Sequence, residues 1–359
     1  MKILTVVGAR PQFIKAAAVS RAITQHSDIT EVIVHTGQHF DEKMSDIFFR
    51  EMAIPKPDYN LDINSLSHGA MTGRMLEGIE QILIMENPDY LLVYGDTNST
   101  VAGALAASKL HIKVIHVEAG LRSFNMKMPE EVNRIITDRI SDILFCPTEE
   151  AVKNLRNEGF ENFSSQIVHS GDVMEDAALF YAQLLDNDDS FLQNMGVKSD
   201  EYALVTLHRQ ENTDSVDKLT TLVSTLNQIA KEKPIVLPLH PRTRKKLNQL
   251  NLELKVNTIE PVGYFDMIRL IRNSSFVMTD SGGLQKEAYF FNKFCITLRE
   301  QTEWVELQKD GYNFVVGTSK EKCIDAVMQI EKREFERKSE LYGGGHAAQF
   351  IVNYLKKKL

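Results

Sequence analysis

Cysteine is scarce: Cys146, Cys295 and Cys323 stand far apart in 359 residues and form no C-x-x-C pair. That excludes a disulfide framework and a zinc site built on paired thiols, and leaves reduced cytoplasm as the expected compartment. No apolar run approaches the length of a membrane span. The opening Lys2–Val7 run enters a strand directly and is too short and wrongly flanked for a signal peptide. Neither G-x-x-x-x-G-K nor G-x-G-x-x-G occurs, so P-loop ATPase and nicotinamide dehydrogenase chemistry lose their usual support. Cations are also in deficit, with 41 Lys and Arg against 49 Asp and Glu and a net charge of −8. Such a balance works against nucleic-acid binding, which needs clustered Lys and Arg. The basic runs, Lys245–Lys246 and Lys356–Lys358, read as solvated helix surface. An anionic ligand would have to be met locally, by helix N-termini and a few Arg residues.

What is present is ordinary globular usage, with 43% hydrophobic and 25% charged residues. The length exceeds what one core usually supports, so two domains are expected. Apolar runs rich in β-branched residues alternate with amphipathic segments of helical length, the pattern of βαβ units on a largely parallel sheet. The strand candidates are Ile3–Val7, Glu31–His35, Tyr90–Tyr94, Val114–Val117 and Ile143–Cys146, then Ala203–Leu207, Ile235–Leu239, Phe276–Thr279 and Phe294–Leu298. The boundary is expected near 170, before the polar segment Asp186–Ser190. That gives domains 1–170 and 171–345, with 346–359, after Gly343-Gly344-Gly345, returning to pack on the first.

In open α/β sheets ligands gather at the carboxyl ends of strands, so polar residues directly after apolar runs carry the most weight. Arg10 and Lys15 follow the first strand, and Pro11 suits the first turn of a helix. Asp96, in Gly-Asp-Thr, and Glu118, in Val-Glu-Ala-Gly, end two further strands. A lone Asp in such a turn is often only a helix cap. Two carboxylates at neighbouring strand ends suit proton transfer better. Glu130, in Pro129-Glu130-Glu131, opens the next helix where the macrodipole favours acids, and adds a third carboxylate; grouped carboxylates raise one another's pKa. His208 with Arg209 ends a strand of the second half, and His240 repeats the arrangement. Asp280-Ser281-Gly282-Gly283 is a strand running into a Gly-Gly helix start, whose bare amides bind an anion without needing Lys. Glu287, one turn on, is placed to accept from a ribose hydroxyl.

Taken together, the stretches G-A-R-P-Q-F-I-K, H-T-G-Q-H, Y-G-D-T-N-S-T, H-V-E-A-G-L-R, P-E-E-V-N-R, L-H-R-Q-E-N and D-S-G-G-L-Q-K-E-A resemble, in order, those of the non-hydrolysing UDP-N-acetylglucosamine 2-epimerase family. The resemblance implies two Rossmann-like domains of the GT-B type with the active site in the cleft between them. It also implies elimination of UDP to a 2-acetamidoglucal and re-addition on the other face, with no metal or nicotinamide cofactor, in a homodimer. By motif, Asp96, Glu118 and Glu130 resemble the acid and base groups, with Lys15 and His208 assisting near the phosphates. Arg10 and Arg134 resemble substrate contacts, and Ser281, Gly282, Gly283 and Glu287 resemble the UDP clamp. Gln38, Arg74 and His240 are the candidates for a second, activating UDP-sugar site.

The chain departs from the family pattern in three places. Thr302-Glu303-Trp304-Val305-Glu306 stands where T-E-R-P-E is usual, replacing a cation by an indole. Pro261-Val262-Gly263-Tyr264 lacks a frequent polar residue. Ser123–Met128 is similar to the branch acting on UDP-2,3-diacetamido-2,3-dideoxyglucuronate in O-antigen synthesis. The substrate therefore stands between that sugar and UDP-N-acetylglucosamine. The competing readings are a hydrolysing epimerase releasing UDP and N-acetylmannosamine, a glycosyltransferase of the same fold, and a UDP-sugar sensor that binds without turnover.

Overall fold

The computed structural model describes residues 1–38, 56–185 and 190–358. His39 of the H-T-G-Q-H stretch and positions 186–189 of the polar segment lie outside them. The chain divides into two compact units, Met1–Ala177 with Glu340–Leu359, and Ala178–Ser339.

Among the described residues the first unit carries seven parallel strands: β1 (Lys2–Val7), β2 (Thr30–His35), β3 (Tyr59–Asn60), β4 (Tyr90–Tyr94), β5 (Lys113–Val117), β6 (Ile143–Cys146) and β7 (Gln166–His169). Their order is β3-β2-β1-β4-β5-β6-β7. The described residues of the second unit carry six: β8 (Ala203–Thr206), β9 (Ile235–Pro238), β10 (Asn257–Ile259), β11 (Phe276–Thr279), β12 (Cys295–Thr297) and β13 (Asn313–Val315), in the order β10-β9-β8-β11-β12-β13. Each is an α/β doubly wound sheet of Rossmann-like order. The interior strands are apolar runs because helices cover both faces. In the first unit the helices His68–Glu86 and Asn98–Lys109 bury Met75, Ile79, Leu83, Ala102 and Ala106 against Leu4, Val6, Leu91 and Val93.

The same order places a switch point in each unit, where the winding reverses and the strand ends splay into a ligand crevice. In the first unit it lies between β1 and β4, and in the second between β8 and β11. Four strands escape the sequence reading, β3, β7, β10 and β13, and all four are sheet edges. An edge strand is short and open to water on one side, so it lacks the continuous apolar run.

The helix Ala347–Lys356 belongs to the first unit and packs on the helix Arg10–Ile23. Asp176 accepts the amides of Ala347 at 3.1 Å and Ala348 at 2.7 Å, capping its start. Among the described residues no helix is long and apolar enough to cross a membrane.

Candidate functional site

At the first switch point the chain leaves β1 through Gly8, where a Cβ would stand 2.1 Å from Thr36 Oγ1 and 2.2 Å from Ser99 Oγ. Only glycine lets this strand end close against its neighbours. The helix Arg10–Ile23 starts here with Pro11 in its first turn. Buried Gln12 ties the start down: its Oε1 accepts the amides of Gly8 and Ala9, each at 2.9 Å, and its Nε2 donates to Tyr94 O and Thr100 Oγ1, each at 2.9 Å. Arg10 is half-buried at the helix start.

Lys15, one turn along, forms an ion pair with Glu118. Their side chains are 9% and 11% exposed, so the pair is nearly dry. Glu118 adopts a left-handed backbone at φ 72°, held by Phe145 O accepting the amides of Glu118 at 3.1 Å and Ala119 at 3.0 Å. A left-handed non-glycine residue costs on the order of 1–3 kcal/mol, and such strain clusters at functional sites. Gly95, at φ 61°, leaves open the space beside Glu118 Oε2 and Lys15 Nζ, which lie 3.1 and 3.3 Å from where its Cβ would be. Asp96 follows it. The turns carrying Asp96 and Glu118 are therefore side by side.

Asp96 pairs with Arg134, whose other nitrogen holds Glu131 Oε2 at 2.6 Å. Buried Glu131 also accepts from Ser123 N and Oγ at 2.9 Å and from Phe124 N at 3.0 Å. Burial pushes the Glu131 carboxyl up, but the Ser123 hydrogen bonds and the Arg134 charge outweigh it and hold it below the usual carboxylate value. Glu130 is exposed, so the helix Pro129–Ile140 turns Glu131 into the Asp96 network and Glu130 to solvent. Asp96 and Glu118 each have a cation beside them, in contrast to the mutual repulsion expected of grouped carboxylates.

At the second switch point the organising group is Asp280, fully buried just after β11. It accepts from His208 N at 3.1 Å, Arg209 N at 2.9 Å and Asn212 Nδ2 at 3.3 Å, which binds the loop after β8 to the end of β11. His208 is 44% exposed, with Nδ1 3.4 Å from Asp280 Oδ1. Its ring lies 6.5 Å from that of His240, and the two line an open cavity of about 530 Å³ with Arg209, Gln210, Glu211 and Arg242. Two guanidinium groups and two imidazole rings converge there on a space large enough for a diphosphate.

The helix Gly282–Phe290 starts beside it, with half-buried Ser281 as N-cap making no side-chain cap bond. Nothing lies within 4 Å of a Cβ placed on Gly283, while at Gly282 a Cβ would meet Glu303 Oε1 at 2.3 Å. Glu287 is half-buried on the same helix. Trp304 holds this start: its indole N–H donates to Gly282 O at 2.8 Å, and Lys286 Nζ sits 4.2 Å from its ring centroid. The indole that stands in place of the usual cation thus braces the Gly-Gly turn. Gln285 adds a second brace, donating to Ser281 O at 3.1 Å and accepting from Thr302 Oγ1 at 2.7 Å.

The three residues grouped as an activating site do not share a unit. His240 lies in the second, in the cavity with His208. Gln38 lies in the first, where its Oε1 accepts from Ser99 N at 3.1 Å and Ser99 Oγ at 2.7 Å. Arg74 is exposed on the helix His68–Glu86. Sequence reasoning missed Gln12, Glu131 and Asp280 as site-forming residues. For Asp280 the signal was available, since it ends an apolar strand as Asp96 does.

A family model described as UDP-N-acetylglucosamine 2-epimerase matches residues 21–356. The chain is 55% identical over 359 residues to UDP-2,3-diacetamido-2,3-dideoxy-D-glucuronate 2-epimerase of Pseudomonas aeruginosa, covering 99% of this chain and 100% of that one. It is similar, at TM-score 0.85 and 42% identity over 99% of this chain and 100% of the other, to the crystal structure of Methanocaldococcus jannaschii UDP-GlcNAc 2-epimerase in complex with UDP-GlcNAc and UDP. The UDP-GlcNAc 2-epimerase from Neisseria meningitidis bound to UDP-GlcNAc matches at TM-score 0.84 and 31% identity, over 99% and 100% of the two chains.

Proposed function

The chain belongs to the UDP-N-acetylglucosamine 2-epimerase family, and from that premise we propose that it inverts C2 of a UDP-linked 2-acetamido sugar without hydrolysing it. The observation that carries this reading is the pair of adjacent turns bearing Asp96 and Glu118, each carboxylate balanced by its own cation. Inversion at a carbon needs one group to remove a proton and another to return it from the opposite face. In the forward half, the C2–H bond and the bond from C1 to the β-phosphate oxygen break, and C1=C2 forms. The electron pair leaves with UDP. Return of a proton to the other face of C2 and of UDP to C1 completes the cycle. Asp96 and Glu118 share the proton roles, with Lys15 beside Glu118 and Arg134 beside Asp96. The charge developing on UDP is met by His208, by Arg10, by Ser281, and by the helix-start amides of Gly282 and Gly283, groups aimed where charge grows in the transition state. Glu287 accepts from the ribose.

For the sugar, we favour UDP-2,3-diacetamido-2,3-dideoxyglucuronate over UDP-N-acetylglucosamine. The high identity to the Pseudomonas relative supports this, as do Trp304 and the Ser123–Met128 segment. The same reading takes the enzyme to be a cytoplasmic homodimer serving bacterial surface-polysaccharide synthesis, and three buried free thiols suit a reducing compartment.

The test incubates both UDP-sugars separately in deuterated water and follows deuterium at C2 and free sugar. Deuterium in UDP-linked product is expected, fastest with the diacetamido uronate. Release of free sugar would point to the hydrolysing reaction, and no exchange with either would sink the reading. Trp304→Phe, which removes the bond to Gly282 O and shrinks a buried ring, is expected to cost about 1–3 kcal/mol of stability and to weaken UDP binding several-fold. Thermal denaturation and UDP calorimetry read the two effects.

A further inference from the structure

Beneath the Asp96 and Glu118 turns runs a chain of four charged side chains that the reaction above leaves unassigned. His116, fully buried on β5, places Nδ1 2.7 Å from Asp138 Oδ1 and Nε2 2.7 Å from the carbonyl oxygen of Gly95. Neither partner has a proton to give. A carbonyl only accepts, and the other oxygen of Asp138 already accepts from Arg122 Nη1 at 2.7 Å and from the Gly120 amide at 3.2 Å. The Arg122 guanidinium on that oxygen, with the Gly120 amide beside it, marks Asp138 as a carboxylate. Both ring nitrogens of His116 must then donate, which makes the ring an imidazolium. Arg122 in turn holds Glu158 through two bonds of 2.6 and 2.7 Å. The charges alternate along His116, Asp138, Arg122 and Glu158, so each buried charge has an opposite neighbour.

This network touches both turns that carry the proton-handling carboxylates. The Gly95 carbonyl belongs to the peptide that joins Gly95 to Asp96, and His116 fixes it while Val117 O accepts the Gly95 amide at 3.0 Å. Gly120, held by Asp138, lies two residues after Glu118 and has φ 79°; a Cβ there would meet Ala151 O at 2.5 Å. We propose that His116 and Asp138 are positioning residues for the epimerisation, with the His116 imidazolium, as a double donor, setting where Asp96 stands relative to Glu118. The proposal rests on the reading of Asp96 and Glu118 as the proton-handling pair.

The test compares His116→Gln with His116→Asn in the full chain. A glutamine amide stands where Nε2 does and still donates to Gly95 O, whereas an asparagine amide stands where Nδ1 does and reaches only Asp138. Misplacing a reacting group by about 1 Å costs on the order of 100-fold. His116→Asn is therefore expected to lose about that factor in kcat, and His116→Gln several-fold only, with KM unchanged in both. Melting temperatures should fall by similar amounts, since each variant severs one bond of the network. Equal kcat losses in the two variants, or losses in KM instead, overturn the proposal. Nitrogen NMR of the 15N-histidine-labelled wild type, with His116 assigned by its absence in His116→Gln, should show both ring nitrogens protonated; one bare nitrogen overturns it as well. That spectrum needs no substrate. A wild type with two protonated nitrogens but no C2 exchange would therefore sink the functional reading separately.

Discussion

Glu118→Gln should keep UDP affinity and lose C2 deuterium exchange by about 1,000-fold, within the range that a positioned acid or base contributes. The substitution preserves shape and removes only the charge and the capacity to carry a proton. It also leaves the Lys15 ammonium, 9% exposed, beside a neutral amide. Loss of a hydrogen bond to a charged group costs about 1.5–3 kcal/mol, so the melting temperature should fall with the rate. Asp96→Asn separates the two effects. Arg134 still holds Glu131 at 2.6 Å, and Asp96 is 29% exposed, so stability should change little while exchange is abolished just as deeply. Both variants are measured by mass spectrometry of the deuterated product, UDP calorimetry and thermal melts. Exchange persisting near wild-type rate in Asp96→Asn would remove that residue from the chemistry.

The second large effect is expected at Asp280→Ala, a residue placed to touch protein rather than substrate. Its carboxylate, which has no exposed surface, holds two backbone amides of the loop after β8 and the buried Asn212 amide. Each buried donor left without an acceptor costs about 1–3 kcal/mol, so roughly 3 kcal/mol or more of stability should go. The loop that presents His208 and Arg209 would lose its anchor. Losing two contacts to a diphosphate at about 1.4 kcal/mol per decade corresponds to roughly 100-fold in UDP affinity. Urea denaturation and UDP titration check this, with Asp280→Asn, which retains one accepting oxygen, recovering part of both. Wild-type UDP affinity in Asp280→Ala would show that the loop is held by other means.

The interior of each sheet was legible in the sequence because burial on both faces writes itself as an uninterrupted apolar run. Val93, Ile115 and Val277 are examples, each with no exposed surface. The edges were not: in β7, Gln166 and His169 are exposed, and in β10 so are Asn257 and Thr258. Asp96, Glu118 and His208 could be read because they directly follow buried strands. The groups that hold them could not, because their partners are distant in sequence, as Gln12 is from Tyr94 and His116 from Asp138. Glu130 and Glu131 illustrate a finer limit. Both satisfy the macrodipole at the helix start, and only the face that the helix turns toward Ser123 and Phe124 decides which one is buried.

Because Glu340–Leu359 belongs to the first unit, that unit is interrupted by the whole of the second. On a ribosome, the roughly 160 residues of the inserted unit occupy about 10–30 s at ordinary elongation rates before the segment that covers the helix Arg10–Ile23 is made. The unit whose synthesis begins first is thus completed after the second. During that interval the face of the helix Arg10–Ile23 that meets Ala347–Lys356 in the finished fold awaits a cover made only after the second unit.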